Sequence, residues 1–214
     1  MDQIRVKEIF YSIQGEAATQ GLPTVFVRLS GCPLRCTYCD SAYAFSGGRM
    51  MSVEDIITEV QDYPARYVTV TGGEPLAQPS CIALLSALCD LDYQVSLETS
   101  GALTVADVDP RVRKVVDFKV PSSGEVSKNH WNNVNYLLPS DELKFVVGDR
   151  DDFDWALLQI EQQALIDRVA SIWVSPVYQQ LDPSVLADWV LSSGLPIRIQ
   201  MQLHKLLWGD APGR

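Results

Sequence analysis

Residues 31–41 read GCPLRCTYCDS, and the three cysteines in this stretch, Cys32, Cys36 and Cys39, are spaced Cys-x-x-x-Cys-x-x-Cys. Three thiolates at this spacing hold three irons of a four-iron cluster and leave the fourth iron without a protein ligand. An iron with an open position binds and reduces a small molecule, whereas a cluster with four protein ligands mainly carries electrons. Two plainer readings compete. A structural zinc site takes four ligands, commonly as two pairs. No second pair exists: Cys81 and Cys89 stand apart in an apolar helical stretch, and His130 and His204 are isolated from each other. Disulfides are disfavoured by the odd count of five cysteines, and no secretory leader is read ahead of Met1.

Outward from the cysteines, apolar β-branched runs alternate with helical patterns. Strands are expected at residues 6–13, 24–29, 67–71, 93–97, 114–118, 143–147, 172–175 and 197–200. Helices are expected at 52–60, 80–91, 152–164 and 183–192. Ser52 reads as the first N-cap, with Asp55 three residues on as the acid of a capping box. The polar stretch 122–135 reads as the longest loop. Strand–helix alternation of this kind means a parallel sheet. The unusual residues fall at the carboxyl ends of its strands: the cysteine loop, Thr71-Gly72-Gly73-Glu74-Pro75, Glu98-Thr99-Ser100-Gly101, Asp117-Phe118-Lys119, Ser175-Pro176 and residues 200–204. In α/β barrels that end is where sites are built. The expectation is an α/β fold, a partial, open (β/α) barrel, as one domain over residues 1–214 with its cluster loop at 31–41.

Each motif has a bland reading beside the functional one. Glycines after YVTVT permit close backbone approach to a ligand, but a glycine turn between strand and helix is also routine. Glu98 at a strand end suits ribose hydroxyls, or is a solvated acid in a turn. Asp117-x-Lys119 on its own reads as a salt bridge. In FYSIQGE, Gln14 and Glu16 flank Gly15 and offer complementary groups for the amide and guanidine edge of a pterin or guanine-like ring. Arg28 either grips a carboxylate with two parallel bonds or forms a surface ion pair.

The cysteine motif resembles that of the radical S-adenosylmethionine (SAM) superfamily. FYSIQGE, VRLSGC, the CDS after the cysteines, TGGEP, ETSG, PSSG and QLHKLLW, in that order across nearly the whole chain, resemble the 7-carboxy-7-deazaguanine synthase family. That resemblance implies a 4Fe-4S cluster on Cys32, Cys36 and Cys39, with SAM and Mg²⁺ as further cofactors. It implies that 6-carboxy-5,6,7,8-tetrahydropterin is contracted to 7-carboxy-7-deazaguanine with loss of ammonia, for queuosine or another deazapurine. Tyr38, Cys39, Asp40, Gly73, Glu98, Asp117, Phe118, Lys119, Ser175, Pro176, Val177 and Tyr178 would line SAM. Gln14, Gly15, Glu16, Arg28, Thr71 and His204 would hold the substrate. Ser41 would bind Mg²⁺ where the family usually has threonine; serine keeps the hydroxyl but lacks the methyl that stiffens the rotamer, which points to a weaker hold. Some relatives carry Ser-Pro-Lys in place of Asp117-Phe118-Lys119. The tail, residues 209–214, extends past HKLLW. A homodimer, a reducing partner such as flavodoxin and a cytoplasmic location are also implied.

Composition sets the remaining bounds. The 214 residues carry 17 Lys and Arg against 27 Asp and Glu, a net charge of −10. That balance opposes a phosphate-tracking surface and so direct nucleic-acid binding. No apolar run approaches the roughly 18 residues of a membrane span. A glycyl-radical activase would share the cysteine motif but has no need of Gln14, Glu16 and Arg28. An iron–sulfur electron carrier would need a fourth cysteine ligand and no SAM site.

Overall fold

In a computed structural model, which describes residues 3–209, 211 and 213, the alternation produces one curled sheet of nine strands. The elements run β1 (Gln3–Ile13), β2 (Pro23–Leu29), β3 (Arg49–Ser52), α1 (Val53–Gln61), β4 (Tyr67–Gly72), α2 (Cys81–Asp90) and β5 (Gln94–Thr99). They continue β6 (Arg113–Asp117), β7 (Glu142–Val147), α3 (Arg150–Gln162), β8 (Ser171–Pro176), α4 (Pro183–Ser193), β9 (Arg198–Ile199) and α5 (Leu203–Trp208). The strand order is β3-β1-β2-β4-β5-β6-β7-β8-β9. Every neighbouring pair from β2 to β9 is parallel, and β1 is antiparallel to both β2 and β3. The two edge strands do not pair, so the barrel is open as expected.

Strand alternation divides the side chains between two faces. Val68 and Val70 of β4, Val95 and Leu97 of β5, and Leu143, Phe145 and Val147 of β7 turn outward into the apolar layer under the helices. Their alternates Thr71, Glu98, Lys144 and Val146 line the inside. Each fully buried aliphatic in the outer layer contributes about 1.5–3 kcal/mol. The helices start where the sequence places them. Ser52 accepts a hydrogen bond from Asp55 N (3.1 Å) and Asp55 accepts one from Ser52 N (3.3 Å), the capping box expected for α1. Asp149 and Asp182 cap α3 and α4.

Two elements were not expected. β3 follows two glycines and is only four residues long, and it forms by antiparallel pairing with the start of β1. α5 holds the HKLLW segment, whose leucines are largely exposed. The stretch 122–135 is better ordered than a long loop: it winds through short 3-10 turns, and Trp131 stacks on Phe118 with ring centroids 4.4 Å apart. Asp210, Pro212 and Arg214 of the tail lie outside the described residues.

The direction of β1 decides where the site extends. Ile13 pairs with Pro23, and Thr24 pairs with Tyr67. The chain leaving β1 therefore emerges at the amino-terminal ends of the parallel strands, opposite the cysteine loop. Gln14, Gly15 and Glu16 start from the barrel floor and meet the other motifs there, Gln14 at Glu98 and Glu16 through Gln202 at Asp40 of the cysteine loop. Among the described residues, no helix is long and apolar enough to cross a membrane.

Candidate active site

The cysteine loop is held close over the sheet by glycine. Gly72 has φ +147, and a Cβ there would lie 2.2 Å from Leu29 O; a Cβ on Gly73 would lie 2.2 Å from Gly31 O and 2.8 Å from the Cys32 Cβ. The obstacles at Leu29 and Gly31 are backbone atoms and cannot swing aside. The glycines after β4 thus admit the cysteine loop itself. Glu74, wholly buried, locks the next strand end beside them: its carboxylate accepts from Leu76 N (3.0 Å), Thr99 Oγ1 (2.9 Å) and Ser100 N (2.7 Å).

Cys32, Cys36 and Cys39 are half-buried and line one cavity of about 600 Å³. Burial pushes the Cys32 thiol up and the Cys36 thiol up to about 11, with the Lys119 ammonium opposing it in both. At neutral pH the Cys32 and Cys36 thiols keep their protons, which coordination to a bound cluster would displace. Among the described residues, no three His, Cys, Asp or Glu side chains are placed to hold a single metal ion. A cluster several atoms across takes its ligands wider apart, and three cysteines around an open cavity fit it. Ser41 Oγ lies 3.9 Å from Cys39 Sγ and caps no backbone N–H.

The walls carry paired charge. Lys119 Nζ and Asp117 Oδ2 are 2.9 Å apart, the salt bridge that the Asp-x-Lys spacing allows. Asp117 Oδ1 and Ser175 Oγ are buried in the lining without a hydrogen-bond partner; unpaired buried polar atoms facing a cavity suit a polar ligand. Arg28 Nε donates to Glu8 Oε1 at 2.8 Å, and its guanidinium lies 5.7 Å from the Phe10 and Tyr43 ring centroids.

At the floor, Gln14 Nε2 donates to Glu98 Oε1 (3.2 Å) and Thr69 Oγ1 (3.1 Å), and Thr71 Oγ1 donates to Glu98 Oε2 (3.0 Å). Lys144 Nζ donates to Glu16 Oε2, and Gln202 Nε2 donates to Glu16 Oε1 (2.9 Å) and to Asp40 Oδ2 (3.0 Å). Burial drives the Glu16 carboxyl up, but the charge and hydrogen bond of Lys144 outweigh it and leave the group below its ordinary value. Burial and then the Glu16 charge hold Glu98 above its own. Burial lowers the His204 imidazole, against the pull of Glu16 and Asp40. Gly15 fits only without a side chain, since a Cβ would sit 2.0 Å from His204 Nδ1.

Residues 26–120 match the Radical SAM superfamily. The chain is 45% identical to the 7-carboxy-7-deazaguanine synthase of Chlorobaculum tepidum, over 98% of this chain and 97% of that one. It is 40% identical to the synthase of that name from Koribacter versatilis, over 96% and 97%. The chain belongs to the 7-carboxy-7-deazaguanine synthase family. Its fold is also that of the crystal structure of QueE from Escherichia coli, with TM-score 0.74 and 24% identity, covering 94% of this chain and 95% of that one. The structure of TYW1 with a lysine-pyruvate adduct bound is a more distant neighbour, with TM-score 0.63 and 10% identity over 82% of this chain.

In this 7-carboxy-7-deazaguanine synthase family member, nearly all the residues singled out from sequence line the one cavity. Cys32, Cys36, Cys39, Tyr38, Asp40 and Ser41 come from the cysteine loop, and Gly73, Thr71, Glu98, Asp117 and Lys119 from the middle strands. Ser175, Pro176, Val177 and Tyr178 come from the end of β8, and Gln14, Gly15, Glu16, Arg28 and His204 complete it. Phe118 is the exception. Alternation along Asp117-Phe118-Lys119 turns its ring to the outer face, where it is fully buried against Trp131 and Phe145. Its side chain does not reach the cavity. Sequence reasoning missed Lys144 and named Gln202 only as part of QLHKLLW, without a role of its own. The signal for Lys144 was present, as the one lysine among apolar residues in ELKFVV.

Proposed function

We propose that this chain contracts 6-carboxy-5,6,7,8-tetrahydropterin to 7-carboxy-7-deazaguanine with loss of ammonia, as a radical SAM carbon–nitrogen lyase of queuosine biosynthesis. One observation carries the reading: the three cysteines and a charge-paired polar floor share a single cavity. Cys32, Cys36 and Cys39 would hold the cluster. Tyr38, Asp40, Gly73, Glu98, Asp117, Lys119 and the segment from Ser175 to Tyr178 would hold SAM beside it. When bound, the cluster and SAM supply the radical that starts the rearrangement.

The chain's own residues position and enclose. Glu16 and Gln14 on the floor present an acceptor and an amide to the edge of the pterin ring. Thr71 and His204 flank the ring, and Arg28 faces the substrate carboxylate from β2, steadied by Glu8. The Ser41 hydroxyl, beside Cys39, would take Mg²⁺. The same reading carries a homodimer and a small reducing protein such as flavodoxin.

The test is an anaerobic assay of the reconstituted protein with dithionite, SAM, Mg²⁺ and the carboxylated tetrahydropterin, read by mass spectrometry. The expected product is 7-carboxy-7-deazaguanine with little net loss of SAM. Cleavage of SAM without any deazaguanine would overturn the substrate assignment.

A further inference from the structure

Lys144 is the one basic side chain that β7 sends inward, between Leu143 and Phe145 of the outer core. It is 8% exposed, and so is the Glu16 it pairs with across the barrel. Glu16 Oε2 accepts from Lys144 and Oε1 from Gln202. Each carboxylate oxygen has two lone pairs, so both keep one to accept from a ligand. Two parallel acceptors match two parallel N–H donors, the ring N–H and exocyclic amine of a 2-amino-4-oxo ring. A protonated carboxyl instead offers one donor and one acceptor, which match the N–H and carbonyl of the 2-oxo analogue.

We propose that Lys144 is a positioning residue that fixes Glu16 as a double acceptor and thereby sets the preference for a 2-amino ring over its 2-oxo analogue. The proposal rests on the pterin reading above. Without Lys144, the burial of Glu16 has no opposing cation beside it. The other charged groups near the pair are Asp40 on the cysteine loop, Glu98 on β5, Asp117 on β6, Arg28 on β2, and His204 and Lys205 on α5. Asp40 and Glu98 favour protonation of Glu16. His204 charging on acidification would favour its anion, so loss of pterin binding at lower pH has the sign of Glu16 protonation.

The experiment is anaerobic calorimetric titration of the cluster-loaded, SAM-bound protein with 6-carboxypterin and 6-carboxylumazine at two pH values across neutrality. The parent protein should prefer the pterin by about tenfold or more at both. Lys144→Met should lose about tenfold in pterin affinity, more at the lower pH, with the preference narrowing or inverting there. Lys144→Arg keeps the cation and should keep the preference. Should Lys144→Met fail to fold by circular dichroism, Lys144→Gln serves with the same expectation. A neutral variant that keeps the parent preference at both pH values overturns the proposal. So does an equal, pH-independent weakening of both ligands, which marks a packing role. A parent protein that binds neither ring overturns the pterin reading and this proposal together.

Discussion

Glu74 and Gly73 show how single residues of TGGEP build the site without needing to touch a ligand. The glycine removes a Cβ that would strike Gly31 O, and the glutamate fills its acceptor sites with the end of β5 and the turn that follows β4. Gly73→Ala should cost about 1–3 kcal/mol as an overpacked contact. Its larger consequence should be local, because the displaced atoms carry Cys32. Iron bound per chain after reconstitution should fall well below the parent value while the circular dichroism spectrum is retained. Full iron loading in Gly73→Ala would mean that the cysteine loop tolerates the displacement and that the glycine serves only the ligand. The TGGEP motif was legible from sequence as a strand-end glycine turn. What the glycines make room for was not, since that depends on a loop forty residues earlier in the chain.

At the scale of elements, the outer face was easier to read than the inner one. The alternation of apolar β-branched runs with helical patterns announces a parallel sheet under helices, and Ser52 and Asp55 announce a helix start. Lys144 was not singled out and Gln202 was given no role of its own, because their meaning lies in partners 128 and 186 positions away in sequence, and Phe118 was assigned to SAM only through the resemblance of its segment. The short β3 and α5 form by pairing and docking rather than by their own pattern. α5 meets the floor loop where Leu203 N donates to Gly15 O at 3.0 Å, and His204 covers the place a Gly15 side chain would need. Gly15→Ala should therefore push α5 off the floor. A displacement of an ångström or so is enough to lower kcat/KM by up to about a hundredfold, measured in the anaerobic assay, with iron content retained because this end of the barrel reaches the cysteine loop through the hydrogen bond of Gln202 to Asp40 (3.0 Å) and not through a cysteine. Loss of iron along with activity would contradict that separation.

For the molecule as a whole, the two faces of the sheet impose opposite demands. The outer layer is apolar and stabilises the sheet, while the lumen buries Glu16, Glu98, Asp117, Lys119 and Lys144 around a cavity. Buried carboxylates are tolerated where a cation faces them, as Lys144 faces Glu16, and cost stability where the pairing is incomplete. Glu98 is the group that bears this cost, since burial and the nearby Glu16 charge hold its carboxyl above the ordinary value. The unfolded chain then loses the Glu98 proton at a lower pH than the folded one does. The contribution of Glu98 is most favourable below the ordinary carboxylate range and is lost as pH rises through the folded value. Glu98→Gln, which cannot ionise, should raise the melting temperature of the cluster-free protein at pH 8. Each kcal/mol recovered corresponds to about 2–4 °C for a chain of this size. The gain should shrink as pH falls toward the ordinary carboxylate range, because the parent then folds with Glu98 neutral. On the proposed role of Glu98 toward the SAM ribose, the same substitution exchanges one acceptor oxygen for an amide donor, so SAM binding should weaken as stability improves. An unchanged or lower melting temperature at pH 8 would show that Gln14, Thr71 and Arg28 already compensate the charge.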